Sequence, residues 1–266
     1  MFYDNPDPMR PEPTPERVLA VCRLIARNPM TKEQLQDAMT LSKTGEKSAA
    51  EINSALDVAM RDLQLITDKD GLFCFSGSHD IIATTTGFRR YISSQVFARK
   101  GSTFFLFSQW MIARNDRLAS LQKWENMAFQ AGKEVSALSG LDENAITGWR
   151  FWAAFLGLGY LSGTMMIPNM KLRIQDVLAS QFPKDYAYGV TLSARDFSVW
   201  LNSKLPEADC TSVFPLAVSA GLRTLYELNL IHMETRRDTD RVQMFYVDGD
   251  PINEFSHITV LEEVCQ

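Results

Sequence analysis

Two stretches of this chain share a pattern that constrains its fold more than any other feature. Residues 60–75, MRDLQLITDKDGLFCF, and 225–247, LYELNLIHMETRRDTDRVQMFYV, each end an apolar-periodic helix in L-x-L-I and run at once into a charged turn. Leu63 aligns with Leu228, Leu65 with Leu230 and Ile66 with Ile231, a weak internal repeat.

Upstream of the first stretch, TPERVLAVCRLIARNP places Val18, Leu19, Val21, Cys22, Leu24 and Ile25 on one helical face, with Thr14 as cap, Pro15 in the first turn and Pro29 as the stop. Thr31 then caps a short helix with Leu35, Ala38 and Met39 inward, and a third helix turns Ile52, Leu56, Ala59, Met60 and Leu63 inward. DKDG between Ile66 and LFCF is a hairpin signal, so three helices and a ribbon over Thr67–Phe75 predict a winged-helix unit. The second stretch repeats the order. Ser193 caps a helix with Phe197, Trp200 and Leu201 inward, PLAVSAGLRTLYELNLI forms a helix, and a ribbon is expected over Ile231–Val247. A third echo lies at 141–170, where Asp142 caps a helix carrying Ile146, Trp149, Trp152 and Leu156, and LGLGYLSG stands in place of L-x-L-I.

The expected fold class is mainly α with small β-hairpin wings (α+β): tandem winged-helix units joined by a helical middle module. The expected boundaries are a flexible segment at 1–13, a winged helix at 14–77, the middle module at 78–190, a second winged helix at 191–250 and a tail at 251–266. No stretch approaches the ~20 apolar residues that span a bilayer, and the proline-rich acidic start lacks the features of a secretory signal. A cytoplasmic location without membrane contact is expected.

Chemistry has few footholds. No phosphate-binding loop, dinucleotide fingerprint or nucleophile elbow occurs, so no catalytic residue and no cofactor are assigned. His79, His232 and His257 are scattered, and Cys22, Cys74, Cys210 and Cys265 form no C-x-x-C pair, which leaves buried reduced thiols and no metal site as the expectation. FFLFSQW and WRFWAAF read as core.

Charge is more informative. The net value is -5, yet residues 76–140 carry 8 Lys+Arg against 4 Asp+Glu, while residues 193–266 carry 6 against 12. A DNA-contacting winged helix lays its third helix in the major groove and its wing on the backbone. The candidates for that role are Lys43, Lys47, Ser48, Asn53 and Lys69 in the first unit and Arg236, Arg237 and Arg241 in the second wing, with Arg223 on its helix. Arg89, Arg90, Arg99 and Lys100 add cations interleaved with Phe88, Tyr91 and Phe97. Against this, Glu51, Asp57 and Asp62 lie on the first unit's third helix, and Asp238 and Asp240 offset the second wing.

FWAAFLGLGYLSGTMMIPN, LSARDFSVWLNSKLPEAD and LAVSAGLRTLYELNLIHMETRRDTDRVQMFYV followed by FSHITV resemble the pattern of DpdG-type proteins, over roughly the last half of the chain. The resemblance implies an accessory component of bacterial systems that place 7-deazapurines in DNA and restrict unmodified DNA, and it carries over no catalytic residue. Three readings stay open: a non-catalytic protein binding DNA or a DNA-acting complex in genome defence, a winged-helix scaffold of the kleisin-binding kind in an SMC-type complex, and a ligand-responsive transcriptional regulator. Protein partners of a multi-subunit complex are expected, and a homodimer is open.

Overall fold

The structure, a computed structural model, describes residues 2, 9–40, 46–115, 124–163, 165–250 and 252–265, with backbone alone at 46–48 and 124–125. Helices are combined with small sheets, antiparallel apart from one strand pair. The chain divides into two units, Met1–Phe104 with Lys123–Phe155, and Phe105–Gln122 with Leu156–Gln266.

In the first unit, Pro15 opens helix α1 (Pro15–Arg27), where its missing N–H costs little, while the Thr14 side chain makes no cap bond. Thr31 heads α2 (Lys32–Met39) in a capping box: its hydroxyl accepts from Gln34 N at 3.4 Å, and Gln34 Oε1 accepts from Thr31 N at 2.8 Å. Helix α3 (Glu46–Asp57) buries Ile52, Ala55 and Leu56 and continues as a π-helical turn over Val58–Asp62. It ends at Gln64, whose φ of 55° marks a left-handed helix stop. Leu65 N donates to Ala59 O at 2.9 Å, and the chain enters β1 (Ile66–Lys69). Strand β2 (Leu72–Phe75) pairs antiparallel with β1 across Asp70–Gly71, both at positive φ as a two-residue D-G turn requires. Phe73 also exchanges both backbone hydrogen bonds with Met30, so β2 is flanked on both sides.

The chain continues through α4 (His79–Ala83), α5 (Thr85–Val96), α6 (Thr103–Ala113), α7 (Trp124–Glu134) and α8 (Glu143–Phe155). Asp142 Oδ1 accepts from Ala145 N at 2.7 Å, capping α8 as expected. The described residues of the 1–13 segment are not free, contrary to expectation. Phe2 is 1% exposed, its ring edge-on to Phe104 and Trp152 at 5.2 and 4.9 Å, and Trp152 Nε1 donates to Pro13 O at 2.7 Å. Met9 O passes so close to α8 that a Cβ on Gly148 would lie 1.9 Å from it.

In the second unit the hairpin β3 (Gly159–Ser162) and β4 (Met165–Pro168) precedes α9 (Lys171–Ser180) and α10 (Phe182–Asp185). Then come β5 (Thr191–Ser193), α11 (Ala194–Lys204), β6 (Val213–Phe214), α12 (Leu216–Glu227) and β7 (Ile231–Glu234). The Ser193 hydroxyl accepts from Asp196 N at 3.1 Å and caps α11. Asn229 has a φ of 55°, like Gln64, and Leu230 N donates to Leu225 O at 2.9 Å, five residues back where Leu65 N reaches six, because no π-helical turn precedes this junction. The chain closes with β8 (Val242–Met244), β9 (Glu254–Phe255) and β10 (His257–Val260).

The ribbon expected over Ile231–Val247 does not form. Strand β7 pairs with β10 in the antiparallel order β5–β10–β7, and β8 lies in a separate sheet between β6, parallel to it, and β9. The described part of the tail expected at 251–266 is likewise in the fold: alternation in HITV turns Ile258 and Val260 inward, and β10 pairs with β5 on one edge and β7 on the other. With α10, β6, β8 and β9 of the second unit set aside, the two units share an order of helix, flanking residue or strand, helix, helix, strand, strand, with the last strand central. In the first the elements are α1, Met30, α2, α3, β1 and β2; in the second they are α9, β5, α11, α12, β7 and β10. The echo expected at 141–170 is divided, with α8 in the first unit and the hairpin in the second. Its junction is nonetheless kept, because Gly157 between Leu156 and Leu158 has a φ of 80°.

Candidate interaction surfaces

In the first unit α3 presents a weak face to phosphate. Glu51 is paired with Arg17 at 2.8 Å, Asp57 is exposed, and Asn53 Oδ1 accepts from Gln36 Nε2 at 3.3 Å. Lys43 lies outside the described residues, as do the side chains of Lys47 and Ser48. Lys69 is exposed at the hairpin tip between Asp68 and Asp70.

The interleaved cations and aromatics of 88–100 do not form a surface strip. Phe88 and Phe97 are buried, and Arg89 is 8% exposed. Tyr91 donates its hydroxyl to Leu63 O at 2.7 Å and Arg99 Nη2 donates to Asp62 O at 3.3 Å, so both satisfy carbonyls at the end of the third helix, where a cation also complements the helix dipole. Arg90 is half-buried, and Lys100 is exposed. A helix-end anchor and a nucleic-acid surface share this composition, and Tyr91 and Arg99 serve as anchors.

The second unit departs further from a groove reader. Of the residues of α12 only Glu227 is exposed. Gly221 admits the start of α9 so closely that a Cβ there would lie 2.7 Å from Lys171 N. Arg223, 7% exposed, donates through Nε to Ile252 O at 2.9 Å and through Nη2 to Phe245 O at 2.8 Å and Asn253 Oδ1 at 2.9 Å, and pairs with Asp250 at 2.8 Å. It thereby pins the segment between β7 and β10. In that segment Arg236 pairs with Glu234 and Arg241 with Glu254, while Arg237 is exposed in the turn.

Glu207, wholly buried, pairs with Arg173 at 2.7 Å. Burial, with the charges of Glu207 and Asp209 behind it, pushes the Cys210 thiol up to about 12. Burial alone pushes Cys22 of the first unit to about 12, whereas Cys74 is half-buried and Cys265 exposed. The Asp185 carboxyl is held below its ordinary range by the Trp200 Nε1–H and then by Lys204. Among the described residues no cluster of three or more metal-ligating side chains occurs, and no helix is long and apolar enough to cross a membrane.

The sequence reading missed the exposed apolar side chains. Among the described residues, Leu72 and Phe129 are those of the first unit. The second unit, of similar length, has Tyr160, Met165, Val190, Val199, Val213, Leu228, Tyr246 and Val247, with Met165, Val199 and Tyr246 more than 60% exposed. Their signal in sequence is faint, because each stands in a stretch whose other apolar residues are core. No family model, curated protein or solved structure matches the chain.

Proposed function

We propose that the chain is a non-catalytic scaffold of tandem winged-helix units that docks a protein partner and reaches DNA, if at all, through the complex it joins. The burial of α12 carries this reading: a helix exposed only at Glu227 cannot enter a major groove. The exposed apolar side chains of the second unit support it, because protein interfaces draw on such groups whereas phosphate contact draws on cations. So does the surplus of Asp+Glu, 12 against 6 Lys+Arg, over residues 193–266. The resemblance to DpdG-type proteins makes a DNA-modifying or restricting complex the first place to look for that partner.

Direct DNA binding is the second reading, favoured by Lys69 at the tip of the short hairpin. Retention of a labelled duplex at low salt separates the two. The scaffold reading expects none, together with a partner protein that co-purifies at fixed stoichiometry. Tight binding that falls steeply with salt and is lost when Lys43, Lys47, Lys69 and Lys100 are replaced by Ala would overturn it.

A further inference from the structure

In the first unit, α8 sets a notch beside an indole, because Gly148 and Trp152 stand one turn apart on the same buried face. The chain ahead of α1 closes on both. Phe2 lies edge-on to Trp152 and Phe104, and Trp152 Nε1 donates to Pro13 O at 2.7 Å. Between these contacts, Met9 O and Arg10 O lie 1.9 and 2.6 Å from where a Cβ on Gly148 would stand, an approach that only glycine allows.

Held there, the segment is not relaxed. Met9 has a φ of 50°, a left-handed state that a residue with a Cβ adopts at a cost. Glu12 Oε2 is buried with no hydrogen-bond partner among the described residues, which adds the cost of a desolvated carboxylate oxygen. The described residues of the segment also join no sheet, so no ladder of backbone bonds offsets these terms. Two local costs within four residues, on a segment seated against one helix, mark a place where the fold opens short of global unfolding.

We propose that the segment carrying Phe2, Met9 and Pro13 is a releasable strap: it lifts from α8 while the rest of the unit stays folded, and the groove it leaves takes a proline-rich segment of the partner protein headed by an aromatic ring. The strap itself shows what the groove accepts: a ring edge-on to Trp152 and Phe104, a close backbone over Gly148 and a carbonyl for the indole N–H. A partner segment that makes these contacts without a left-handed side-chain residue or a buried carboxylate binds the open state better than the strap closes it, and so displaces it. The occupant rests on the scaffold reading; the release of the strap does not.

The test is hydrogen exchange on the full chain, comparing the Trp152 indole N–H with the backbone amides of Val21 and Cys22 in α1. The indole proton should be protected at least about tenfold less than those amides. Phe2→Asp should cost no more stability than Phe2→Ala, because an open strap caps the loss for both. A synthetic peptide FYDNPDPMRPEP, which copies residues 2–13, should then protect the indole proton of Phe2→Asp about tenfold. Indole protection equal to that of α1, or a Phe2→Asp chain that unfolds where Phe2→Ala does not, overturns the strap. No response to peptide overturns the groove, as does mass doubling of Phe2→Asp with concentration, since the occupant is then a second copy. A partner that co-purifies more with Phe2→Asp than with wild type supports the assignment, whereas equal recovery sinks it and leaves the scaffold reading in place.

Discussion

The two units solve one problem at two scales. In the first, β1 and β2 are joined by a two-residue turn at Asp70–Gly71. In the second, β7 and β10 are separated by residues 235–256, which carry β8 and β9. The junction before the ribbon is the same in both, a leucine, a left-handed residue and a second leucine. The difference lies in the preceding helix: the first unit has a π-helical turn over Val58–Asp62, whereas α12 stays α-helical and carries Arg223. Val58 is plain core, whereas Arg223 gathers Ile252 O, Phe245 O, Asn253 and Asp250. The two-residue turn of the first unit closes on itself, whereas the long segment of the second is tied to α12 through Arg223.

Removing the anchor should break the comparison most visibly. Arg223→Ala leaves Asp250 and several acceptors unpaired and should cost about 3–5 kcal/mol in denaturant unfolding, against about 1–2 kcal/mol for Val58→Ala. Equal losses would mean that the insertion is held by other means. The leucines before the left-handed residue come next. Leu63 is 1% exposed and Leu228 52%, so Leu63→Ala should cost about 2–4 kcal/mol and Leu228→Ala at most about 0.5 kcal/mol.

A smaller effect sharpens the junction itself. Glutamine tolerates a positive φ less well than asparagine, so Gln64→Gly should stabilise the chain by about 0.5–1 kcal/mol, while Asn229→Gly should change it by only about a few tenths. Thiol labelling gives the mildest contrast. Each unit has one accessible and one buried cysteine, and the buried pair, pushed to about 12, has almost no thiolate at neutral pH. Cys265 should label first and Cys74 next, while Cys22 and Cys210 wait for unfolding, which a timed labelling series read by mass spectrometry would resolve.

Three helix starts were legible in sequence because capping is local: Thr31, Asp142 and Ser193 each accept the expected backbone N–H, whereas Thr14 does not. The first ribbon was legible for the same reason, since D-G fixes its own turn. The second was misread because sequence proximity favours pairing β7 with β8, whereas β10, beyond the expected domain end, takes the place between β7 and β5. The basic stretch at 88–100 shows a different limit. Composition identifies cations beside aromatics, but only the fold tells that Arg99 and Tyr91 face the carbonyls of Asp62 and Leu63.

Backbone nuclear Overhauser contacts at Ile258 test the repeated architecture most directly. Ile258 should lie across from Met233 on one side and Leu192 on the other. Contacts that instead join Met233 or Glu234 to Val242–Met244 as a local hairpin, with Ile258 in contact with neither β7 nor β5, would contradict it.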